Sequence, residues 1–71
     1  MRKYSIIDFQ IGDSVYHLSN RSLKMVIVKI NKELNEVTCR WLDKNGISHS
    51  QEFLPEELGK SSDLNPRMMS I

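Results

Sequence analysis

The chain has 71 residues, with 10 basic against 9 acidic side chains, a formal net charge of +1, and a single cysteine. That length allows one small domain with a marginal core, the lone cysteine excludes an intramolecular disulfide framework, and the balanced charge excludes a general cationic field for nucleic acid. A hydrophobic share of 39% with 27% charged residues separates the sequence from disordered compositions.

Residues 1–8 read as a lead-in segment that starts polar, frays at its first positions, and begins to pack at Ile6 and Ile7. Asp8 follows at once, leaving an apolar run far too short for a signal peptide or a membrane span. A cytoplasmic location is therefore expected, which also suits a free cysteine. Ile11-Gly12-Asp13 is a turn opening the first strand, residues 14–18. Val15 and Leu18 there have opposite parity and share a core only across a bulge, whereas Tyr16 alternates with Val15 and is expected to face outward.

Residues 19–22 form a polar connection with Asn20 as the candidate for a positive φ. The run 23–30 is the most apolar, and its β-branched content predicts a strand with Val26, Val28 and Ile30 on one face and Met25, Ile27 and Lys29 on the other. A hairpin loop at 31–35 leads into residues 37–43, Val-Thr-Cys-Arg-Trp-Leu-Asp, a central strand that holds the only tryptophan and the only cysteine. Val37, Cys39 and Trp41 alternate there against Thr38, Arg40 and Leu42. Lys44-Asn45-Gly46 turns the chain into a further strand at 47–54. Proline at a first helical position, two glutamates after it and Gly59 as a cap predict one helical or 3-10 turn at 55–58, with Leu58 folding back as a lid. Residues 60–71 lack periodicity and read as a disordered tail. The strands make an all-β meander of four to five antiparallel strands.

Phe9-x-Ile11-Gly12-Asp13-x-Val15, then Leu18-Ser19, Lys24-Met25-x-Ile27-x-x-Ile30, Val37-x-Cys39-x-Trp41-x-Asp43, Phe53 and Leu58, taken together, resemble the YodC-like family of small bacterial proteins, a domain of unknown function. The resemblance spans roughly residues 9 to 58 and implies a small SH3-like barrel over residues 9–59. The sequence departs from the family's pattern at Asn20-Arg21-Ser22-Leu23, where members tend to carry a Gly-Gly-Pro-like turn, and at Leu42, where they carry phenylalanine. The family supplies no catalytic residues, and small barrels host many unrelated activities.

The residues themselves give no catalytic, cofactor or metal set. His17, Cys39 and His49 are scattered over different strands without metal-ligand spacing, and Cys39 alternates with Val37 and Trp41, which turns its thiol inward. Glu56-Glu57 reads as a solvated pair at a helical first turn, and the three glycines are isolated turn residues and not a phosphate cradle. Trp41 and Phe53 are needed to fill the core. The chain is thus expected to be a non-enzyme without a small-molecule substrate or a membrane partner.

Two binding readings remain. Met25, Ile27 and Leu42 share a face with Lys29, Thr38 and Arg40, and unless strand coiling absorbs them into one interior they form an apolar patch for a protein partner or a second copy, adjoining residues 19–24. The alternative is a weak RNA or single-stranded DNA surface made of Tyr16, Arg21, Lys24, Lys29 and Arg40, with Glu33, Glu36 and Asp43 cancelling part of its potential.

Overall fold

Five strands and three short 3-10 segments make up the computed structural model, which describes residues 3–64. A 3-10 turn at Ile6–Asp8 precedes β1 (Ser14–His17), β2 (Asn20–Asn31), β3 (Glu36–Leu42) and β4 (Ser48–Phe53). A second 3-10 turn, Pro55–Glu57, leads into β5 (Leu58–Lys60), and a third, Ser61–Leu64, follows. Among the described residues there is no α-helix, so the chain is all-β. Among the described residues no helix is long and apolar enough to cross a membrane.

All strand pairs are antiparallel, in the order β4-β3-β2-β1-β5. The first four strands form the expected meander, and the 3-10 turn at Pro55 returns the chain so that β5 pairs with β1. Leu58 is therefore fully buried as the first residue of a strand, and not as a lid after one. Gly12, at φ 99°, donates its N–H to Ile27 O at 2.8 Å, and Ile27 N–H donates to Asp13 O at 3.0 Å, which carries pairing past the formal start of β1.

Two irregularities decide which way side chains point. One lies between Tyr16 and His17, where Tyr16 pairs with Lys24 and His17 with Asn20, so the extra residues, 21–23, belong to β2; Leu18 follows β1 and is not part of the core that holds Val15. The second falls within β2: Ile27 pairs with Cys39 and Lys29 with Thr38, leaving Val28 as an extra residue. Two consecutive residues, Val28 and Lys29, then stand on the exposed side, and Ile30 rejoins the inner side opposite Val37.

The core gathers Tyr4, Phe9, Val15, Met25, Ile27, Val37, Cys39 and Leu58, with Trp41 and Phe53 packed partly buried against it. Tyr4 comes from the lead-in and Phe9 from the residue just after it, their rings 5.3 Å apart and tilted by 58°. The segment around them is shaped by Asp8, whose carboxylate accepts from Ser5 N–H at 2.8 Å. Lys60 and Asp63 belong to this packing and not to a tail: Lys60 holds its ammonium 5.4 Å from the Tyr4 ring centroid and 5.7 Å from that of Phe9, and the Tyr4 hydroxyl donates to Asp63. The rest of the expected tail and the first two lead-in positions lie outside the described residues.

The connection between β1 and β2 also differs from expectation. Asn20 is already in β2, and Asn35, at φ 55° in the β2–β3 loop, is the non-glycine residue with positive φ among those described. The His17 imidazole closes the tight turn instead, its Nδ1 accepting from Ser19 N–H at 3.0 Å.

Candidate interaction face

The core side of the sheet is filled, so the site must be sought on its other side. There β2 presents Lys24, Val26, Val28 and Lys29, and β3 presents Thr38, Arg40 and Leu42. Val26 lies directly opposite Arg40, which in turn lies opposite Ser50 of β4, while Leu42 faces Ser48. Lys24, Val26, Val28, Arg40, Trp41 and Leu42 line an open groove of about 590 Å³. Its apolar members are well exposed, Val26 at 45%, Val28 at 41% and Leu42 at 64%.

Met25 and Ile27 do not belong to this face. They are 1% and 0% exposed, on the core side of the sheet opposite Val15 and Cys39. The parity taken from Lys29 misleads because the bulge at Val28 reverses it: Lys29 points the same way as Val28, not the same way as Ile27. Of the residues expected in an apolar patch, Leu42 alone is outside, and the partners it has there are Val26 and Val28. The sequence signal that could have found them is the run of apolar residues on both parities of β2, which a single alternation cannot hold.

Tyr16 does alternate with Val15, yet it is only 4% exposed. It pairs with Lys24 on one side and Gly59 on the other, and a Cβ built on Gly59 would stand 2.5 Å from the Tyr16 ring. The missing side chain at Gly59 is what lets the ring lie down against the β5 backbone, so Tyr16 cannot serve as an exposed stacking platform. The basic residues are exposed as expected. Lys24, Lys29 and Arg40 share the outer face, although Lys29 stands opposite Thr38 and not opposite Arg40; Arg21 is exposed near the start of β2.

The electrostatics of this face are uneven. Among the described residues, Lys24, Lys29 and Arg40 enter no ion pair. Arg40 Nε donates to Ser48 Oγ at 2.9 Å, which holds the guanidinium along the β3–β4 edge of the groove. Acids of the same parity are Glu36, opposite Asn31 at the other end of β3, and Glu52, opposite Thr38 and diagonal to Arg40, with which it forms no ion pair.

The titratable groups elsewhere are engaged in local structure. Burial pushes the Cys39 thiol up to about 11, leaving it protonated and unreactive at neutral pH. His49 stacks on Trp41 with ring centroids 5.6 Å apart and places Nε2 2.8 Å from the Asp43 carboxylate. His17 lies 3.7 Å from Glu57 and packs on Phe53, joining the β1–β2 turn to the second 3-10 segment. No family model, curated protein or solved structure matches the chain. The reading of the face rests on its own geometry.

Proposed function

We propose that the chain is a small cytoplasmic, non-catalytic interaction module of SH3-like build that docks a protein segment on the outer face of β2 and β3. The SH3-like reading is supported by the strand order, by the 3-10 turn just before the last strand, and by the return of that strand onto β1. It agrees with the fold that the likeness to the YodC-like family implies. The observation that carries the function is the groove itself: three exposed aliphatic side chains side by side, flanked by cations without counter-ions among the described residues. An apolar patch of this kind stands exposed at a cost that binding relieves. The two histidine–carboxylate contacts each brace a turn, which favours binding over general acid–base work.

A photo-crosslinking amino acid at Leu42, in cells, is expected to capture a polypeptide that the same group at Leu34 does not, since Leu34 is equally exposed in the β2–β3 loop. The capture should disappear when Val26→Asp is added. Absence of any polypeptide adduct at position 42, or identical adducts at both positions, overturns the reading.

A further inference from the structure

The outer face is more specific than a merely apolar surface. Along β2 and β3 the cationic and aliphatic positions cross over: Val26 of β2 stands beside Arg40 of β3, and two residues along each strand come Lys24 on β2 and Leu42 on β3. At these two levels each strand offers one cation and one aliphatic residue, in opposite order, and Val28 extends the aliphatic row of β2. Resting on the docking reading above, we propose that the ligand is an extended acidic peptide in which carboxylate and aliphatic side chains alternate at every second residue, so that both fall on the side facing the groove, its carboxylates meeting Lys24 and Arg40 and its aliphatic groups filling the space between Val26, Val28 and Leu42.

Charge selects this occupant. Lys24 and Arg40 have no counter-ion among the described residues, and no acid lines the groove. Because Ser48 fixes Arg40 through Nε, the two terminal nitrogens remain available for a carboxylate, the geometry in which arginine binds it most tightly. An extended peptide has the matching period, since its alternate side chains fall on one side every two residues.

A second copy fits less well. Laying one groove against another gathers Lys24 and Arg40 of both copies in one interface whose groove lining supplies no acid to offset them. Single-stranded nucleic acid would satisfy the cations but needs ring faces for its bases. Tyr16 is buried against Gly59, and the Trp41 ring is stacked on His49. Aliphatic floor and cationic flank together suit carboxylate-bearing peptide better than phosphate-bearing strand.

The test uses the whole chain, isotope-labelled, with methyl resonances of Val26, Val28 and Leu42 as reporters and Leu34 as control. The probes are eight-residue peptides with serine at every second position and, at the positions between, glutamate alternating with leucine, glutamine with leucine, or lysine with leucine, and an oligouridylate of similar length. The glutamate–leucine peptide is expected to shift the three groove methyls and not Leu34. Its affinity should fall by about tenfold between about 50 mM and about 300 mM salt, and by about tenfold again in Arg40→Glu, whose exposed position leaves the fold intact. Equal binding of the glutamine or lysine peptide overturns the acidic assignment while leaving the docking reading standing. Shifts that grow with protein concentration alone also overturn it, in favour of self-association. Oligouridylate shifting these methyls when no peptide does overturns both readings, and silence from every probe overturns the acidic assignment while crosslinking at Leu42 judges the other.

Discussion

Gly59 and Tyr16 are a pair in which one residue's absent side chain fixes the other's position. Gly59 has an ordinary φ, so its need for glycine is steric: a Cβ there would meet the Cζ and hydroxyl oxygen of Tyr16 at 2.5 Å, well inside contact distance. Gly59→Ala is expected to cost about 1–3 kcal/mol in urea unfolding, the usual penalty of overpacking a filled site. Adding Tyr16→Leu should recover part of that loss, because the atoms in conflict are gone. Strictly additive costs in the double variant would show that the two residues do not interact. The same pair explains why Tyr16 could not be placed from sequence: alternation gives the side of the sheet, but burial on that side depends on a glycine more than forty positions away.

The β3–β4 hairpin depends on one carboxylate. Asp43 accepts from Asn45 N–H at 2.8 Å and Ile47 N–H at 2.9 Å through Oδ1, and meets His49 Nε2 through Oδ2. The bond to His49, then the backbone N–H groups, hold its carboxyl below the usual carboxylate range. A carboxyl whose folded pKa lies below its unfolded value stabilises the fold fully above the unfolded value, and that contribution is lost as pH falls through the folded one. The gap in melting temperature between the wild-type chain and Asp43→Asn is therefore expected to be widest near neutral pH and to close on acidification from about pH 5 to about pH 2. A gap that stays constant over that range refutes the role given to the charged carboxylate. The turn itself was legible, since Asn45-Gly46 between alternating runs marks a hairpin and Gly46 takes φ 80°. The β1–β2 connection was not, because it is closed by the side chain of His17 and carries no glycine or left-handed asparagine as a signal.

Across the molecule, the first four strands, their meander and the inward Val37 and Cys39 follow from alternation and turn chemistry, whereas β5 and the choice of the core side of β2 do not. Both parities of that strand are apolar, and the bulge that settles the matter at Val28 is a property of its pairing with β3, invisible along one strand. The consequence for the site is complete. The same bulge that buries Ile27 sends Val28 and Lys29 outward together, and so creates the mixed aliphatic and cationic face on which the proposed function rests. This division is measurable through stability. Ile27→Ala and Met25→Ala remove fully buried side chains and should each cost about 2–5 kcal/mol, enough to leave so small a domain largely unfolded. Val26→Thr and Val28→Thr keep β-branched shape on an exposed strand face and should change stability by no more than about 0.5 kcal/mol. Chemical denaturation of the four variants discriminates cleanly, because a core built on Val26 and Val28 would reverse the order.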